Sequence, residues 1–392
     1  MVTTQTADQA LKSFYLDAVT DALDKTVNPF LAQLKKSTTD VWGKDVRKMV
    51  RYGVNGGIIA ADETGEFPAG VDQGKVQFVS TLKNLYGTIE ISDKAIRASA
   101  HSEGAFVNLH NDEMDNMVKS ASLNFGRMLF GDGSGILAKV TAVGTSNNVL
   151  TLDSVKNLTE GMRVYVFSSD KSQLENDFRK VLSVDRQAKT VLLSGTAILE
   201  SNLPVGSYLS AQKTLGCELT GLGAIFAKDK TELYGVNRAN HEFLMPYRQD
   251  EVGEIDELTI QTAMDTIEEK SGGKINFIVC SWGVKRALAE YYRKYNTVLA
   301  TKEIEGGYRA LTFNGVPVVA DRFCPEGTMY LLNTDDFGIY QLCDWQWLEG
   351  DNGNVLQQLP SKPVYSATLV KYAELMCDKP CGQGVLTGIT EK

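Results

Sequence analysis

The sequence lacks several features that mark whole classes of protein. No run approaches the roughly 18 consecutive apolar residues of a membrane-spanning helix. The first residues, Met1 to Thr6, carry neither the basic nor the apolar segment of a secretory signal. Acidic residues (49) outnumber Lys and Arg (40), for a net charge of -9. Because a sequence-independent nucleic-acid binder needs a basic surface to displace counterions, the composition excludes a large surface of that kind.

Cysteine and histidine are also scarce. The six cysteines are irregularly spaced, so the sequence does not predict a disulfide scaffold, and a reducing cytoplasm fits their usage. Cys377 and Cys381 form the only close pair, and a zinc site would need two further ligands at similar spacing. The three histidines, His101, His110 and His241, are not spaced in that way. We therefore expect no metal and no cofactor.

What is present indicates a folded protein of more than one domain. At roughly 150 residues per domain, 392 residues allow two or three domains. Apolar residues make up 43% of the chain and aromatic residues 9%, which suffices for a hydrophobic core and excludes a chain that is disordered as a whole.

The N-terminal residues have a helical pattern. Residues 5–36 show apolar side chains, including Phe14 and Tyr15, at helical spacing, and Pro29 interrupts the pattern. The segment is either an arm that lies against another surface or an ordinary helical hairpin.

A glycine-rich segment follows at residues 52–97. It contains two predicted strands, Val76–Leu82 and Leu85–Ile91, which would form a long hairpin. An isolated two-stranded ribbon is only marginally stable in water, so the hairpin packs either on the rest of this chain or on a neighbouring copy. We expect the neighbouring copy, with a contact surface that comprises Leu85, Ile89, Ile91 and, from the arm, Phe14 and Tyr15.

The middle of the chain changes from helix to strands. Residues 103–130 have the clearest helical period, and Gly131–Gly135 ends that helix. This glycine-rich turn follows a helix and lacks a lysine, so it is not a phosphate-binding loop. Residues 136–212 then contain short strands separated by turns, which predicts an inserted small β-barrel or sandwich. The predicted strands are Leu137–Val143, Val149–Leu152, Arg163–Phe167, Arg179–Val184, Thr190–Leu193 and Tyr208–Ala211.

The last third of the chain has an α/β pattern. Residues 254–340 contain two predicted helices, Ile255–Lys270 and Trp282–Tyr295, between apolar strands. A long apolar strand, Tyr365–Met376, follows. Trp345 and Trp347 precede a polar loop, and we expect them to lie in a loop and to point in different directions.

An enzyme reading of this region depends on Ser281. It follows a buried strand and precedes a helix, as the nucleophile of an α/β hydrolase does, but the residues around it, Val-Cys-Ser-Trp-Gly, lack the first glycine of that motif. No histidine with an acidic partner is evident. Asp112, Glu113 and Asp115 are grouped on the long helix, where a solvated helix face explains them. The sequence therefore favours a protein that is not an enzyme.

The order of the segments resembles the major capsid proteins of tailed bacteriophages, which have the Hong Kong 97-type fold. The resemblance covers most of residues 40–392 except the insertion. Leu85–Ile96 (Leu-Tyr-Gly-Thr-Ile-Glu-Ile-Ser-Asp-Lys-Ala-Ile) looks like the return strand of the extended loop, and Glu218–Leu222 resembles the re-entry after the spine helix. The segments Phe313–Asp321 (Phe-Asn-Gly-Val-Pro-Val-Val-Ala-Asp), Gly327–Asn333 and Phe337–Tyr340 look like the strands of the axial domain.

This resemblance implies an α+β fold with an inserted small all-β domain. Its parts would be the N-terminal arm (1–51), the extended loop (52–97), the peripheral domain with the spine helix (98–135), the inserted β-barrel-like domain (136–212), the return of the peripheral domain (213–253), the axial domain (254–340), and the late loop and closing strands (341–392).

The resemblance also implies a function. The chain would be a shell subunit that forms pentamers and hexamers of an icosahedral head around double-stranded DNA, assembled in the bacterial cytoplasm with portal, scaffolding or decoration proteins as further partners. Some relatives cross-link subunits through Lys and Asn with help from a glutamate, which draws attention to Lys75, Lys83, Asn352 and Asn354. The alternatives are an encapsulin-type compartment and an α/β hydrolytic or ligand-binding enzyme that uses Ser281.

Overall fold

The structure is a computed structural model. It describes residues 28–53, some residues between 55 and 70, and residues 73–94, 103–144, 148–170, 172–174, 177–196, 203–211, 214–294, 301–304, 308–350 and 353–392. Of residues 103–112, 301–304 and 308–310 it describes the backbone alone. Phe14, Tyr15, His101 and Asn352 lie outside the described residues.

The described residues contain five α-helices: α1 (Pro29–Gln33), α2 (Glu103–Phe130), α3 (Leu222–Ile225), α4 (Glu257–Ser271) and α5 (Trp282–Lys294). Short 3-10 turns lie at Arg238–Asn240, Glu242–Leu244, Thr334–Asp336 and Pro380–Gly382. Pro29 begins α1, where its missing N–H costs nothing. Among the described helices, none is both long enough and apolar enough to cross a membrane.

One five-stranded sheet, here called the spine sheet, packs against α2. Its strands are β1 (Lys35–Ser37), β5 (Lys83–Ser92), β20 (Phe337–Trp347), β21 (Gln357–Gln358) and β22 (Val364–Cys377). The long β22 pairs antiparallel with both β5 and β20. Apolar side chains of α2, β5, β20 and β22 share the largest hydrophobic core of the subunit, which includes Phe125, Ile89, Trp345 and Leu369.

The spine sheet corrects the expectation for the two tryptophans. Trp345 and Trp347 lie on β20, where alternate residues share a face. Both indoles are buried in the same core, whereas Gln346 between them is exposed. Pairing of β20 with β22 continues to Trp347, opposite Leu369, which keeps the segment extended to that residue. The prediction of a loop with diverging indoles is therefore wrong.

A seven-stranded sheet, here called the axial sheet, forms the α/β region. In spatial order its strands are β14 (Tyr247–Gln249), β23 (Gly384–Leu386), β19 (Met329–Leu332), β15 (Phe277–Cys280), β18 (Val316–Ala320), β17 (Tyr308–Phe313) and β16 (Thr301–Ile304). Helices α4 and α5 share a separate core with Ile278 and Cys280 of β15. Phe277 and Val279, on the opposite face of β15, join the largest core. The centre of the axial sheet is therefore buried on both faces.

Residues 136–211 form a closed β-barrel. Its strands are β6 (Ile136–Val143), β7 (Val149–Leu152), β8 (Arg163–Phe167), β9 (Arg179–Asp185), β10 (Thr190–Leu193) and β11 (Tyr208–Ala211), in the spatial order β10-β7-β6-β11-β8-β9. Pairing of β9 with β10 closes the ring. Leu150, Val164 and Leu209 belong to a core made of barrel residues alone. Of the two architectures that the sequence allowed, the structure has the barrel.

The glycine-rich segment forms its hairpin with a different pairing from the predicted one. Strand β4 (Lys75–Thr81) pairs with β3 (Asp45–Arg51), and β2 (Val41–Trp42) completes this small sheet. Strand β5 instead runs along β22 from Lys83 to Ser92. The predicted pairing of Val76–Leu82 with Leu85–Ile91 is therefore wrong, because β22 offers β5 a longer partner. A short hairpin, β12 (Glu232–Leu233) and β13 (Val236–Asn237), lies beside β4.

Candidate assembly surface

We use the name projecting hairpin for β3, β4 and residues 52–74 between them. Its base is fixed by aromatic packing. Phe78 on β4 is fully buried, with its ring centroid 5.4 Å from that of Tyr234 and 6.2 Å from that of Phe243. Tyr52 stacks on Phe243 with a centroid distance of 4.9 Å. A Cβ at Gly74 would lie 2.7 Å from the Tyr52 ring, so glycine at this position lets the ring close over the base.

Polar contacts join the same base to the spine sheet. Lys48 Nζ donates to Tyr340 Oη at 2.6 Å and to Asp378 Oδ2 at 2.5 Å. Burial lowers the pKa of Lys48, but the hydrogen bonds to Asp378 and Tyr340 outweigh it, and the net shift is upward. Lys48 is therefore charged under all physiological conditions, and the ion pair holds β3 to the ends of β20 and β22.

Several large apolar side chains of the hairpin region lack cover within the subunit. Phe67 is 98% exposed, Ile58 88%, Trp42 70% and Met49 59%. Single exposed apolar residues are common, but these four belong to one small sheet and its connecting loop. Trp42 and Met49 lie on the strands of this fixed sheet and present apolar groups to solvent. Such an element can bury them against another molecule.

The contact residues that the sequence predicted on β5 are not on that surface. Leu85, Ile89 and Ile91 are buried in the chain itself, and Leu85 and Ile89 belong to the largest core. Because β5 pairs with β22 and faces α2, the apolar face that we expected to meet a neighbour is already covered. The expectation for these three residues is therefore corrected. Phe14 and Tyr15 lie outside the described residues.

Ser281 has the contacts of a structural residue. It is buried, and its Oγ donates to Oε1 of Glu391, the same oxygen that accepts the N–H of Gly327 at 2.7 Å. His241, the one histidine whose side chain is described, packs instead against Tyr52 and Phe243. Within the described residues, Ser281 has no histidine that could act as its base.

The other candidate residues for chemistry are dispersed. Cys377 and Cys381 are free buried thiols, and burial raises the pKa of both. No group of three or more metal-ligating side chains occurs among the residues that the structure describes. Asp132 accepts hydrogen bonds from the backbone N–H and the hydroxyl of Ser134, and these bonds stabilise the turn after α2. Asp112 has no described side chain, and Glu113 is exposed on α2.

The described residues named for cross-linking lie on different elements of the fold. Lys75 begins β4 and is exposed, Lys83 begins β5, and Asn354 lies in the loop before β21. A cross-link between subunits stays a prediction.

A set of buried charges around the spine sheet was not predicted from the sequence. Lys371 is almost fully buried on β22, donates to Gln341 Oε1 at 2.9 Å and to Asp344, and faces the rings of Phe125 and Trp345. The signal was present in the sequence. A charged residue inside a long apolar strand has to find a partner within the fold.

A second buried pair joins the end of α2 to the chain that returns from the barrel. Both nitrogens Nη1 and Nη2 of Arg127 donate to the carboxylate of Glu218, with an Nη1 to Oε2 distance of 3.0 Å. Both side chains are almost fully buried. The pair therefore holds together the two chain segments that lead into and out of the barrel.

Comparisons with known proteins concern the fold. No protein-family model matches this sequence, and no curated protein matches it. Among solved structures, a chain of the capsid asymmetric unit of cyanophage A-1(L) is similar with a TM-score of 0.55 and 13% identity, over 93% of this chain and 94% of that one.

Two further structures are less similar. A chain of the satellite phage P4 procapsid has a TM-score of 0.47 and 12% identity, over 96% of this chain and 99% of that one. The SrpI encapsulin of Synechococcus elongatus has a TM-score of 0.46 and 8% identity, over 93% and 89%. The similarity to the cyanophage chain extends over nearly the whole of both chains. This chain therefore has the fold of a phage capsid protein.

Proposed function

We propose that the chain is the major capsid subunit of a tailed phage, which assembles as pentamers and hexamers into an icosahedral shell around double-stranded DNA. The observation that carries this proposal is the fold shared with the cyanophage A-1(L) capsid chain over 93% of the present chain. The candidate enzyme residue supports it indirectly, because the hydroxyl of Ser281 is engaged by Glu391.

The projecting hairpin supplies the contact between subunits in this proposal. Burying one Ile or Phe side chain contributes roughly 1.5–3 kcal/mol, and a shell repeats that contribution at every interface. A contact between the hairpin of one copy and a different surface of the next is heterologous, and heterologous contacts form rings when the rotation between copies closes. The fixed base favours this role, since Lys48, Phe78 and Tyr52 hold β3 and β4 in place before assembly.

The charge of the chain suits a container for DNA. A net charge of -9 disfavours tight binding of phosphates to the shell wall, so packaged DNA can leave it. Portal, scaffolding and decoration proteins are the further partners that the proposal includes.

Sedimentation velocity and negative-stain imaging of the purified chain test this function. We expect rings or closed shells from the wild type, and loss of these assemblies in Phe67→Ser, with the subunit still folded by circular dichroism. Leu182→Ser is the matched control, because Leu182 is exposed on the barrel outside the hairpin.

Assembly that is unchanged in Phe67→Ser would remove the hairpin from the interface. Particles that hold a protein cargo and no nuclease-protected DNA after expression in a phage-infected host would favour an encapsulin-type compartment.

A further inference from the structure

Glu374 is a fully buried carboxyl group that has no hydrogen bond to a cationic side chain among the described residues. It lies on β22 with 0% of its surface exposed. Its Oε1 accepts the N–H of Thr220 at 2.8 Å and the N–H of Leu375 at 3.0 Å. Its Oε2 lies 3.3 Å from the hydroxyl of Ser80 on β4. The carboxyl therefore joins three parts of the fold, which are the spine sheet, the chain returning from the barrel, and the base of the projecting hairpin.

The charged and titratable groups around this carboxyl do not form an ion pair that would compensate its negative charge. Lys83 on β5 acts on it through space but makes no hydrogen bond to it, and Tyr234 is a neutral phenol whose hydroxyl donates to the carbonyl of Leu375. Glu218, two residues before Thr220, is neutralised by Arg127. On the hairpin side, Lys48 is engaged by Asp378.

The site suits a neutral carboxylic acid. Protonated Glu374 can donate from Oε2 to Ser80 while Oε1 keeps its two N–H donors, so each polar atom has a partner. Ionised Glu374 holds a charge in a dry site with no cation in hydrogen-bond contact, which is costly. Burial accordingly raises the pKa of Glu374 to about 7, against the hydrogen bonds from Thr220, Leu375 and Ser80 and the charge of Lys83.

We infer that Glu374 is a proton-binding site that controls how firmly the projecting hairpin is seated on the spine sheet. With its proton, the carboxyl stays dry beneath Ser80. When it ionises, water reaches it by displacement of β4, because β22 is held by paired strands on both sides, whereas β4 has one paired strand, β3, and on its other side the hydrogen bond from Val79 N–H to the carbonyl of Tyr234. A rise in pH through neutrality therefore loosens the hairpin base, and its consequence for assembly rests on the function proposed above.

Hydrogen exchange of the full-length, unassembled subunit tests this inference. The amides of β4 are compared at about pH 6 and about pH 8, after correction for the intrinsic chemical rate. With a carboxyl that titrates near 7 when buried and near 4.5 when hydrated, linkage predicts that protection of β4 falls on the order of tenfold between these conditions. In Glu374→Gln, which imitates the neutral acid, we expect no fall.

Two controls make the result specific. Glu90→Gln removes a carboxylate from the exposed face of β5 and should keep the tenfold fall. Ser80→Ala should lower β4 protection at both pH values. A fall of the same size in Glu374→Gln would overturn the inference. If that variant does not fold, wild-type β4 protection that is equal at both pH values would overturn it equally. Because the measurement uses single subunits, failure to form shells leaves it unaffected.

Discussion

The barrel and the projecting hairpin are both built from β-strands, and they differ in what completes them. The barrel closes its own ring of hydrogen bonds and fills its interior with its own side chains, such as Leu150 and Leu209. The hairpin has no interior. Phe78 is buried only because Tyr234 and Phe243, from another part of the chain, lie around it.

The barrel is therefore a self-contained module, whereas the hairpin depends on other parts of the chain. A closed barrel has no free edge and no need of a partner for its stability. A hairpin needs a surface at its base, which this subunit provides, and can use a second surface at its tip, where Ile58 and Phe67 are exposed. The two regions should therefore respond differently to excision, to core substitutions and to pH.

The two regions should differ most in whether each folds when it is expressed alone. Residues 136–212, expressed alone, should melt cooperatively and give dispersed amide signals in nuclear magnetic resonance spectra. A peptide of residues 45–81 should show neither property, because its base has lost the aromatic cover. A random-coil spectrum from the barrel segment would end its description as a module.

Ile89→Asp should unfold the part of the subunit that is built around the largest core. Ile89 is 6% exposed in the largest core, and an unpaired buried carboxylate there costs several kcal/mol, which is most of the stability of an ordinary domain. Calorimetry should show loss of the main transition while the barrel transition persists. Thr88→Asp, on the exposed face of the same strand, should leave both transitions in place. A folded, assembly-defective Ile89→Asp subunit would return β5 to the intersubunit surface.

The case of Ile89 shows what sequence periodicity can and cannot predict. The period of α2 and the turn residues around the barrel strands are local signals, and strands such as Val149–Leu152 and Arg163–Phe167 have their predicted bounds. The partner of Ile89 is Ala367, far along the chain, and no local pattern indicates that pairing. Because such long-range pairings have no local signal, the sequence predicted the hairpin strand β4 but not its pairing with β3. The contact between Ser80 and Glu374 was missed for the same reason.

Arg127→Met should destabilise the junction between α2 and the return from the barrel. Removing one partner of a buried ion pair leaves Glu218 buried and unpaired, at a cost of roughly 3–5 kcal/mol. Chemical denaturation measures this loss. Lys35→Met, which breaks the exposed pair with Asp335, should cost less than about 1 kcal/mol. Equal costs in the two variants would contradict the assignment of the Arg127 pair to the buried core.

Stability should fall as pH rises from about 4.5 to about 7 through Glu374. The folded state keeps its proton in this window while the unfolded state releases it, so the raised pKa stabilises the fold below the window and no longer does so above it. At 1.36 kcal/mol per pKa unit the loss approaches ~3 kcal/mol. Urea unfolding at several pH values should show this slope in the wild type and a flatter one in Glu374→Gln. An identical slope in both proteins would exclude Glu374 as its source.

Lys156→Met should have a smaller effect than the loss of the buried Arg127 pair. Lys156 Nζ on the barrel donates to the carbonyl of Cys324 beside the axial sheet at 2.9 Å. Loss of this hydrogen bond should cost about 1–3 kcal/mol of docking and leave the melting temperature of the barrel itself unchanged. Hydrogen exchange in residues 321–326 should report the loosened contact. A lower melting temperature of the excised barrel with the same substitution would show that Lys156 supports the barrel and not its docking.

Cryo-electron microscopy of particles formed by the full-length chain tests the central claim most directly. We expect rings of subunits in which the projecting hairpin of one copy lies on the next copy, with Ile58 and Phe67 buried there and Leu85, Ile89 and Ile91 still inside their own subunit. A chain that stays monomeric at every concentration, or particles in which Ile58 and Phe67 remain in solvent, would contradict it.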